Sequence, residues 1–409
     1  MVSFLLMRIV NRLLMPAQVL NSLQTNHIDM KAVNIWLLAG LVAFAGCAET
    51  EEEGSCPFHE GDNPGEETTE TLENDEKSDT LIYPEELHFA NMRQLTFGGD
   101  NAEAYWSFDS ESLVFQATNP QWNLSCDQIF VMELGKDKPS RKPPTMVSTG
   151  YGRTTCAYFM PGDQDVVYAS THLADSACPE VPHRGPEGEY VWPIYEGYDI
   201  FVVDIHGENL RQLTSESGYD AEATVSPKGD RMVFTSTRDG DLDLYTMAID
   251  GSDVRRVTHE LGYDGGAFYS PDGEWLIWRA SRPEGEEAEL YKGLLNRGLV
   301  QPTAMELFIG RADGTEQRQL TNLGGANWAP YFHPSGEKII FCSNHKTGKF
   351  PFNLFMIDLD GENLEQITFD SDFDSFPMFS PDGKRIAFSS NRNNGRTRNT
   401  NMFVADWVN

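Results

Sequence analysis

Three segments of the chain place an acid six residues before a Ser-Pro turn and a base twelve residues after it. They read YDAEATVSPKGDRMVFTSTR (219–238), YDGGAFYSPDGEWLIWRASR (263–282) and FDSFPMFSPDGKRIAFSSNR (373–392). A carboxylate and a guanidinium at fixed spacing favour a charge-assisted hydrogen bond. Asp220 with Arg238, Asp264 with Arg282 and Asp374 with Arg392 are therefore expected as structural clamps between loops. Partly exposed pairs of this kind contribute about 1 kcal/mol each. A fourth copy, ANWAPYFHPSGEKIIFCSNH (326–345), keeps the frame but carries Asn327 and His345 at its ends. Two further units have Asn101 with Asn119, and Thr154 with His172. An imidazole can ligate metal, move protons or simply hydrogen-bond a loop. These exceptions are the candidates for chemistry.

The elements that must position them repeat as well, and a repeat decides the architecture. Each unit after residue 87 begins with a segment ending in Leu-Thr or a variant: RQLT 93–96, MVST 146–149, RQLT 211–214, RRVT 255–258, RQLT 318–321 and EQIT 365–368. A short run into the Ser-Pro-Asp-Gly-type turn follows, then an apolar run such as RMVFTST or RIAFSSN, then a segment such as DLYTMAIDG or NLFMIDLDG. Alternating apolar residues predict half-buried strands. The Asp-Gly pairs favour tight hairpins, because glycine accepts positive φ. The fold class expected is all-β: six blades of four antiparallel strands, a six-bladed β-propeller. Blade two carries an insertion around 173–197 and blade four one at 284–303, partly helical. The last unit, NMFVADWV (401–408), lacks a Leu-Thr strand, and LHFANMRQLT (87–96) has no unit before it. Pairing the N-terminal strand with the last blade closes the ring and removes the exposed edge.

The Leu-Thr, Ser-Pro-Asp-Gly-Lys and Phe-x-Ser-x-Arg repeats resemble the TolB-like propeller family over about 320 residues. The resemblance implies a six-bladed fold and a binding protein of the envelope. The chain is expected to lack the separate N-terminal domain of TolB, which sets it apart from a role in the Tol complex.

In such a ring the loops carrying the clamp residues share one face. Blades two and five lie opposite each other, so His172 and His345 are expected near the channel mouth, with Glu103, Arg153, Glu222 and Asn327 completing a polar cup. The plainer reading has both histidines hydrogen-bonding loop carbonyls. Two His with Glu103 or Glu222 would suit a metal, but no HExxH-type spacing supports it, so no metal or other cofactor is expected. GYGRTT (150–155) lacks the P-loop Lys-Ser/Thr, IDLDG lacks the rest of a calcium loop, and no Gly-x-Ser-x-Gly elbow is present.

The 409 residues carry a net charge of −32, which argues against nucleic acid as partner. Residues 1–46 hold a signal region whose true start is expected at Met30. The run MKAVNIWLLAGLVAFAGC (30–47) has a charged start, an apolar stretch and Phe-Ala-Gly-Cys, which resembles a bacterial lipobox, so Cys47 is the expected lipidation site. Ala48 after it resembles export to the outer membrane. Residues 47–86 hold fifteen acids and one base and are expected to be a disordered acidic tether, leaving 87–409 for the propeller. Cys126, Cys156 and Cys178 are expected to supply one disulfide in an oxidising compartment, as Cys126–Cys156 or Cys156–Cys178. Cys342 reads as a buried thiol.

The function expected is that of a monomeric, lipid-anchored binding or scaffold module of the bacterial envelope, periplasmic or surface-exposed, whose partner is a protein, peptide or glycan. The alternative is a metal-dependent polysaccharide lyase resembling oligogalacturonate lyases, with His172, His345, Arg153 and a Glu in the active roles. The negative charge, which repels a polyuronate, weighs against it.

Overall fold

The computed structural model describes residues 81–124, 126–135, 142–182, 184–186, 188–395 and 397–408. The signal region, Cys47 and the segment up to residue 80 lie outside the described residues. From Leu81 onward the repeats form six four-stranded antiparallel sheets. Blade 1 runs Asp100–Trp106, Ser112–Thr118, Gln128–Glu133 and Thr145–Met146. Blade 2 is Thr154–Phe159, Asp165–Ser170, Asp199–Asp204 and Arg211–Gln212. Blade 3 is Asp220–Val225, Arg231–Ser236, Asp243–Ala248 and Arg255–Arg256. Blade 4 is Asp264–Tyr269, Trp275–Ala280, Glu306–Arg311 and Arg318–Gln319, and blade 5 is Asn327–Phe332, Lys338–Ser343, Asn353–Asp358 and Glu365–Gln366.

Blade 6 takes Asp374–Phe379, Arg385–Ser390 and Asn401–Trp407 from the end of the chain and Phe89–Gln94 from its beginning. Phe89 faces Trp407 and Gln94 faces Phe403 across that antiparallel seam. The ring is thus closed by main-chain pairing, which leaves no bare edge at the junction.

The repeated residues have concrete local jobs. The Thr of each Leu-Thr segment accepts a hydrogen bond from the third strand's backbone: Ile200 N–H to Thr214 at 2.9 Å, Leu244 to Thr258, Leu307 to Thr321 and Leu354 to Thr368 each at 2.8 Å. Thr96 does the same for Met402 across the seam. In blade 1 that place belongs to Ser148, which receives Ile129 N–H at 2.9 Å, one residue earlier than the sequence frame puts it. In the Ser-Pro-Asp-Gly turns the Asp accepts the N–H two residues on, and the Ser hydroxyl accepts the first N–H of the next strand, as Asp272 and Ser270 do for Glu274 and Trp275. Gly273 takes φ +69°, a conformation that costs a side-chain-bearing residue energy. Fully buried Trp106, Phe115, Phe234, Trp278, Phe341 and Phe388 pack between the sheets.

Residues 81–86 depart from the expected tether. The Glu86 carboxylate receives the buried Arg392 guanidinium at 2.9 and 3.0 Å, Leu81 O accepts from Arg392 at 3.0 Å, and Tyr83 OH donates to Asp370 at 2.6 Å. These residues are folded onto blade 6 because Arg392 in its interior needs more acceptors than Asp374 supplies. The propeller therefore begins before residue 87.

The insertions of blades 2 and 4 meet. Trp192–Pro193 pairs with Leu299–Val300 in a small two-stranded sheet, and Ile194 N–H reaches Gly298 O at 2.6 Å. The helix Gly285–Leu295 precedes that strand. Its Tyr291 donates to Asp241 in the blade 3 loop between them.

Candidate functional site

The three clamps form. Arg238 reaches both Asp220 oxygens at 3.1 and 2.9 Å, Arg282 both Asp264 oxygens at 3.1 and 2.7 Å, and Arg392 reaches Asp374 at 3.0 Å. In each the Asp opens the inner strand and the Arg follows the second, so one ion pair ties two loops of the same face.

His172 and His345 occupy the arginine's place rather than the channel. Nδ1 of His172 lies 2.9 Å from Ser170 Oγ, with the ring 4.5 Å from Phe201. His345 repeats this with Ser343 at 2.9 Å and Phe355 at 4.6 Å. Arg238 uses the equivalent Ser236 and packs on Phe234 and Tyr245 in the same way. Burial lowers the basicity of both imidazoles, helped by Lys346 at His345. Asn327 is fully buried, and its amide donates to Met305 O at 2.8 Å and to Glu306 at 3.1 Å. None of these three lines the central cavity. No group of three or more His, Cys, Asp or Glu among the described residues is arranged to hold a metal, and the two histidines are committed to neighbours on separate blades. His172 and His345, which the lyase alternative placed in the active roles, do not share the cavity with Arg153 and the two glutamates.

The cavity itself is built by a feature that the motifs do not announce. Every inner strand has a bulge, with register shifts between Ala102 and Tyr105, Thr155 and Tyr158, Ala221 and Thr224, Gly265 and Phe268, Trp328 and Tyr331, and Ser375 and Met378. In each, the residue two after the clamp position has positive φ: Glu103, Cys156, Glu222, Gly266, Ala329 and Phe376, at +45° to +59°. A bulge re-aims one side chain out of the strand's alternation. All six residues line one cavity of about 1320 Å³. Blades 1 to 3 give that ring two carboxyls and a thiol, and blades 4 to 6 give it Gly, Ala and Phe. Farther along the inner strands, Tyr105, Tyr158, Phe268 and Tyr331 pack at centroid spacings of 5.2 to 6.4 Å and fill the axis.

Glu222 is tied on all sides. It pairs with Arg279 and accepts from Thr235 at 2.7 Å, Gly266 N–H at 2.9 Å and Tyr263 OH at 3.2 Å. Burial works to raise its carboxyl, but Arg279 and these donors hold it below its ordinary value. Gly266 makes room for this, since a Cβ there would overlap the Arg279 guanidinium. Glu103 is different. Its Oε2 is buried with no hydrogen-bond partner. Burial pushes its carboxyl up to about 7, opposed by a hydrogen bond with Cys156 and reinforced by the charge of Glu222. Burial and both carboxylates push the Cys156 thiol well up.

Arg153 lines the same cavity but is paired with Asp127. Beside it runs the disulfide, Cys126–Cys178, with Cα atoms 5.6 Å apart. It is neither of the two pairings expected. Cys156 sits in the channel bulge, away from the loops that the disulfide joins, and stays free. The wall above the ring is aromatic. Trp192 and Trp328 lie 5.0 Å apart, Trp328 stacks on Phe352 at 4.5 Å, and Tyr198 meets Tyr219 edge-on at 5.5 Å. The paired insertions thus bring Trp192 over the cavity.

The expected cup therefore divides. Glu103, Arg153 and Glu222 come together in one cavity, while His172, Asn327 and His345 do not join them. Cys156 as a cavity residue, Arg279, Tyr263 and Gly266 escaped the motif reading. Aligning the repeats on the clamp position and reading two residues on would have found four of the six ring positions that it missed.

The model of the TolB β-propeller domain matches residues 190–301 and 301–402. The chain belongs to the TolB β-propeller family. Among solved structures similar to this TolB-family propeller is a putative TolB from Agrobacterium tumefaciens, at 20% identity and a TM-score of 0.49, covering 76% of this chain and 91% of that one. TolB from Acinetobacter baumannii is 17% identical with a TM-score of 0.46, covering 75% of this chain and 63% of that one. An oligogalacturonate lyase in complex with manganese is 12% identical with a TM-score of 0.45, covering 78% and 93%. Among the curated proteins none matches.

Proposed function

We propose that this TolB-family propeller is a binding module of the bacterial envelope, held by lipid at Cys47 and presenting its axial cavity to a protein, peptide or glycan ligand. The observation that carries the reading is the cavity: about 1320 Å³, aromatic in its wall and polar at its base, the usual composition of a ligand pocket. The side chains suit holding better than chemistry. Glu222 with Arg279 and Asp127 with Arg153 are mutually neutralised. The Cys156 thiol is driven away from the reactive thiolate. No histidine is among the described lining residues. The lipobox-like run before Cys47 supports the envelope placement. Presentation by a lipid-anchored acidic segment suits a partner that must be reached across some distance.

The test uses a plugged cavity. Ala329 takes the same positive-φ bulge position in which blade 6 already accommodates Phe376, so Ala329→Phe fills the channel with a side chain that the site tolerates. The propeller is screened against neutral and acidic oligosaccharides, peptides and envelope proteins. Saturable binding to wild type that Ala329→Phe abolishes supports the reading. Turnover of a uronide, or no saturable ligand on the panel, overturns it. For the anchor, Cys47→Ser is expected to end incorporation of labelled fatty acid and to move the protein from the membrane to the soluble fraction.

A further inference from the structure

Among the described residues, eight charged side chains line the cavity: Glu103, Asp127, Arg153, Arg184, Glu222, Arg279, Lys349 and Arg398. Two acids and two bases cancel as the pairs Glu222–Arg279 and Asp127–Arg153. What remains is segregated by depth. Glu103 lies at the base, with a buried oxygen that no donor reaches. Arg184, Lys349 and Arg398 are exposed at the mouth. Among the described residues no carboxylate pairs with any of these three, and Arg184 donates to Gly188 O at 3.3 Å. Between the two zones stands the aromatic wall of Trp192, Tyr198, Tyr219 and Trp328.

A buried acceptor without a donor is a standing cost that a ligand can relieve. A purely anionic ligand would meet the mouth but leave that oxygen bare. A neutral one would leave the mouth cations unmatched. An ammonium answers the base of the cavity twice, because it donates to a carboxylate and is attracted by aromatic faces around it. We propose that the cavity binds a chain-like zwitterion, such as an ω-amino acid or a short peptide, with its ammonium innermost on Glu103 and its carboxylate at Arg184, Lys349 and Arg398. This rests on the binding reading of the same cavity and narrows its ligand class. The wall then covers the connecting chain, and the two charged ends set the direction of entry.

Isothermal titration at pH 8 with 6-aminohexanoate, hexan-1-amine, hexanoate, hexan-1-ol and triglycine tests the assignment. Saturable binding of 6-aminohexanoate or triglycine is expected, at least tenfold tighter than any of the three single-function chains. Glu103→Gln should weaken the zwitterion at least tenfold with unchanged circular dichroism and no loss of melting temperature, since it removes a buried charge while keeping an oxygen for Cys156. Lys349→Ala with Arg398→Ala should weaken it severalfold and flatten its salt dependence. Hexanoate or hexan-1-ol binding as tightly as 6-aminohexanoate, or indifference to Glu103→Gln, overturns the proposal. If another panel ligand binds and is blocked by Ala329→Phe while the zwitterions fail, the ligand class is wrong and the cavity reading stands. If nothing binds, both fall.

Discussion

Glu103 holds its proton to higher pH in the folded protein than in the unfolded chain, because burial raises its carboxyl to about 7. The native state thus binds more protons between pH 4.5 and about 7, and its stability must fall as pH rises through that window. Relative to Glu103→Gln, the wild type is expected to lose on the order of 2 kcal/mol between pH 4.5 and 8, read from urea midpoints. Cys156, Glu222, Arg279 and Asp127 are the groups that act on it, and Gln leaves their charges in place. At Gly266 the effect is steric. Gly266→Ala places a methyl into the Arg279 guanidinium at φ +59°, uncoupling the buried pair with Glu222. The cost expected is about 3 kcal/mol or more, measured by denaturant unfolding. Asn327 shows why blade 5 abandons the clamp. Its amide donates to the Glu306 carboxylate at 3.1 Å and to Met305 O, two bonds that an aspartate could not make. Asn327→Asp alone is expected to destabilise by about 2 kcal/mol.

At the scale of elements, each blade is one hairpin stack whose top loops are tied by a residue pair, and the ties are unequal. Arg238 is partly exposed, with Asp220 as its carboxylate partner. Arg392 is buried between Glu86 and Asp374. Arg392→Ala strands two buried carboxylates and is expected to cost about 4 kcal/mol, against roughly 1 kcal/mol for Arg238→Ala. Equal losses would show that the Glu86 contact adds nothing to blade 6. The disulfide acts between elements. Cys126–Cys178 spans 52 residues and staples the blade 1 loop to the blade 2 insertion. Cys126→Ser with Cys178→Ser is expected to cost up to about 4 kcal/mol by chain entropy. A double variant that melts at the wild-type temperature would show that the unfolded chain is not restrained by the bond.

The whole molecule is a ring whose last joint is made by its first strand. Phe89–Gln94 pairs with Asn401–Trp407, and His88 stacks on Trp407 at 4.8 Å beside it. Starting the chain at Leu95 removes that strand together with Glu86, and bares the edge of blade 6. Such a truncation is expected to unfold in more than one step and to self-associate, seen by calorimetry and gel filtration. A sharp single transition in a monomer would mean that five blades and a three-stranded sixth are enough. The ring also determines what the insertions do. Those of blades 2 and 4 leave on the same face and pair with each other, which brings Trp192 to Trp328 on blade 5.

The repeats, the closed seam and the three Asp–Arg clamps were legible in the sequence, because each rests on local periodicity or on a spacing that every unit repeats. Asp220 and Arg238 are held 18 residues apart by one hairpin, so their meeting needs no knowledge of the other blades. The cavity was legible only in part. Its ring of Glu103, Cys156, Glu222, Gly266, Ala329 and Phe376 holds five residue types at six positions. What unites the six is a backbone bulge, and the side chains that fix their states, such as Arg279 on Glu222, come from a neighbouring blade. The histidines misled because imidazole chemistry is suggestive, yet the pocket of Ser343 and Phe355 holds His345 as it would an arginine. Sequence by itself determined the blade strands, the number of blades and the three Asp–Arg ties, all short-range matters. Only the tertiary structure decided which side chains face the axis, which cysteines join and which carboxyl is left without a partner, because those depend on distances between blades that the chain crosses at long range.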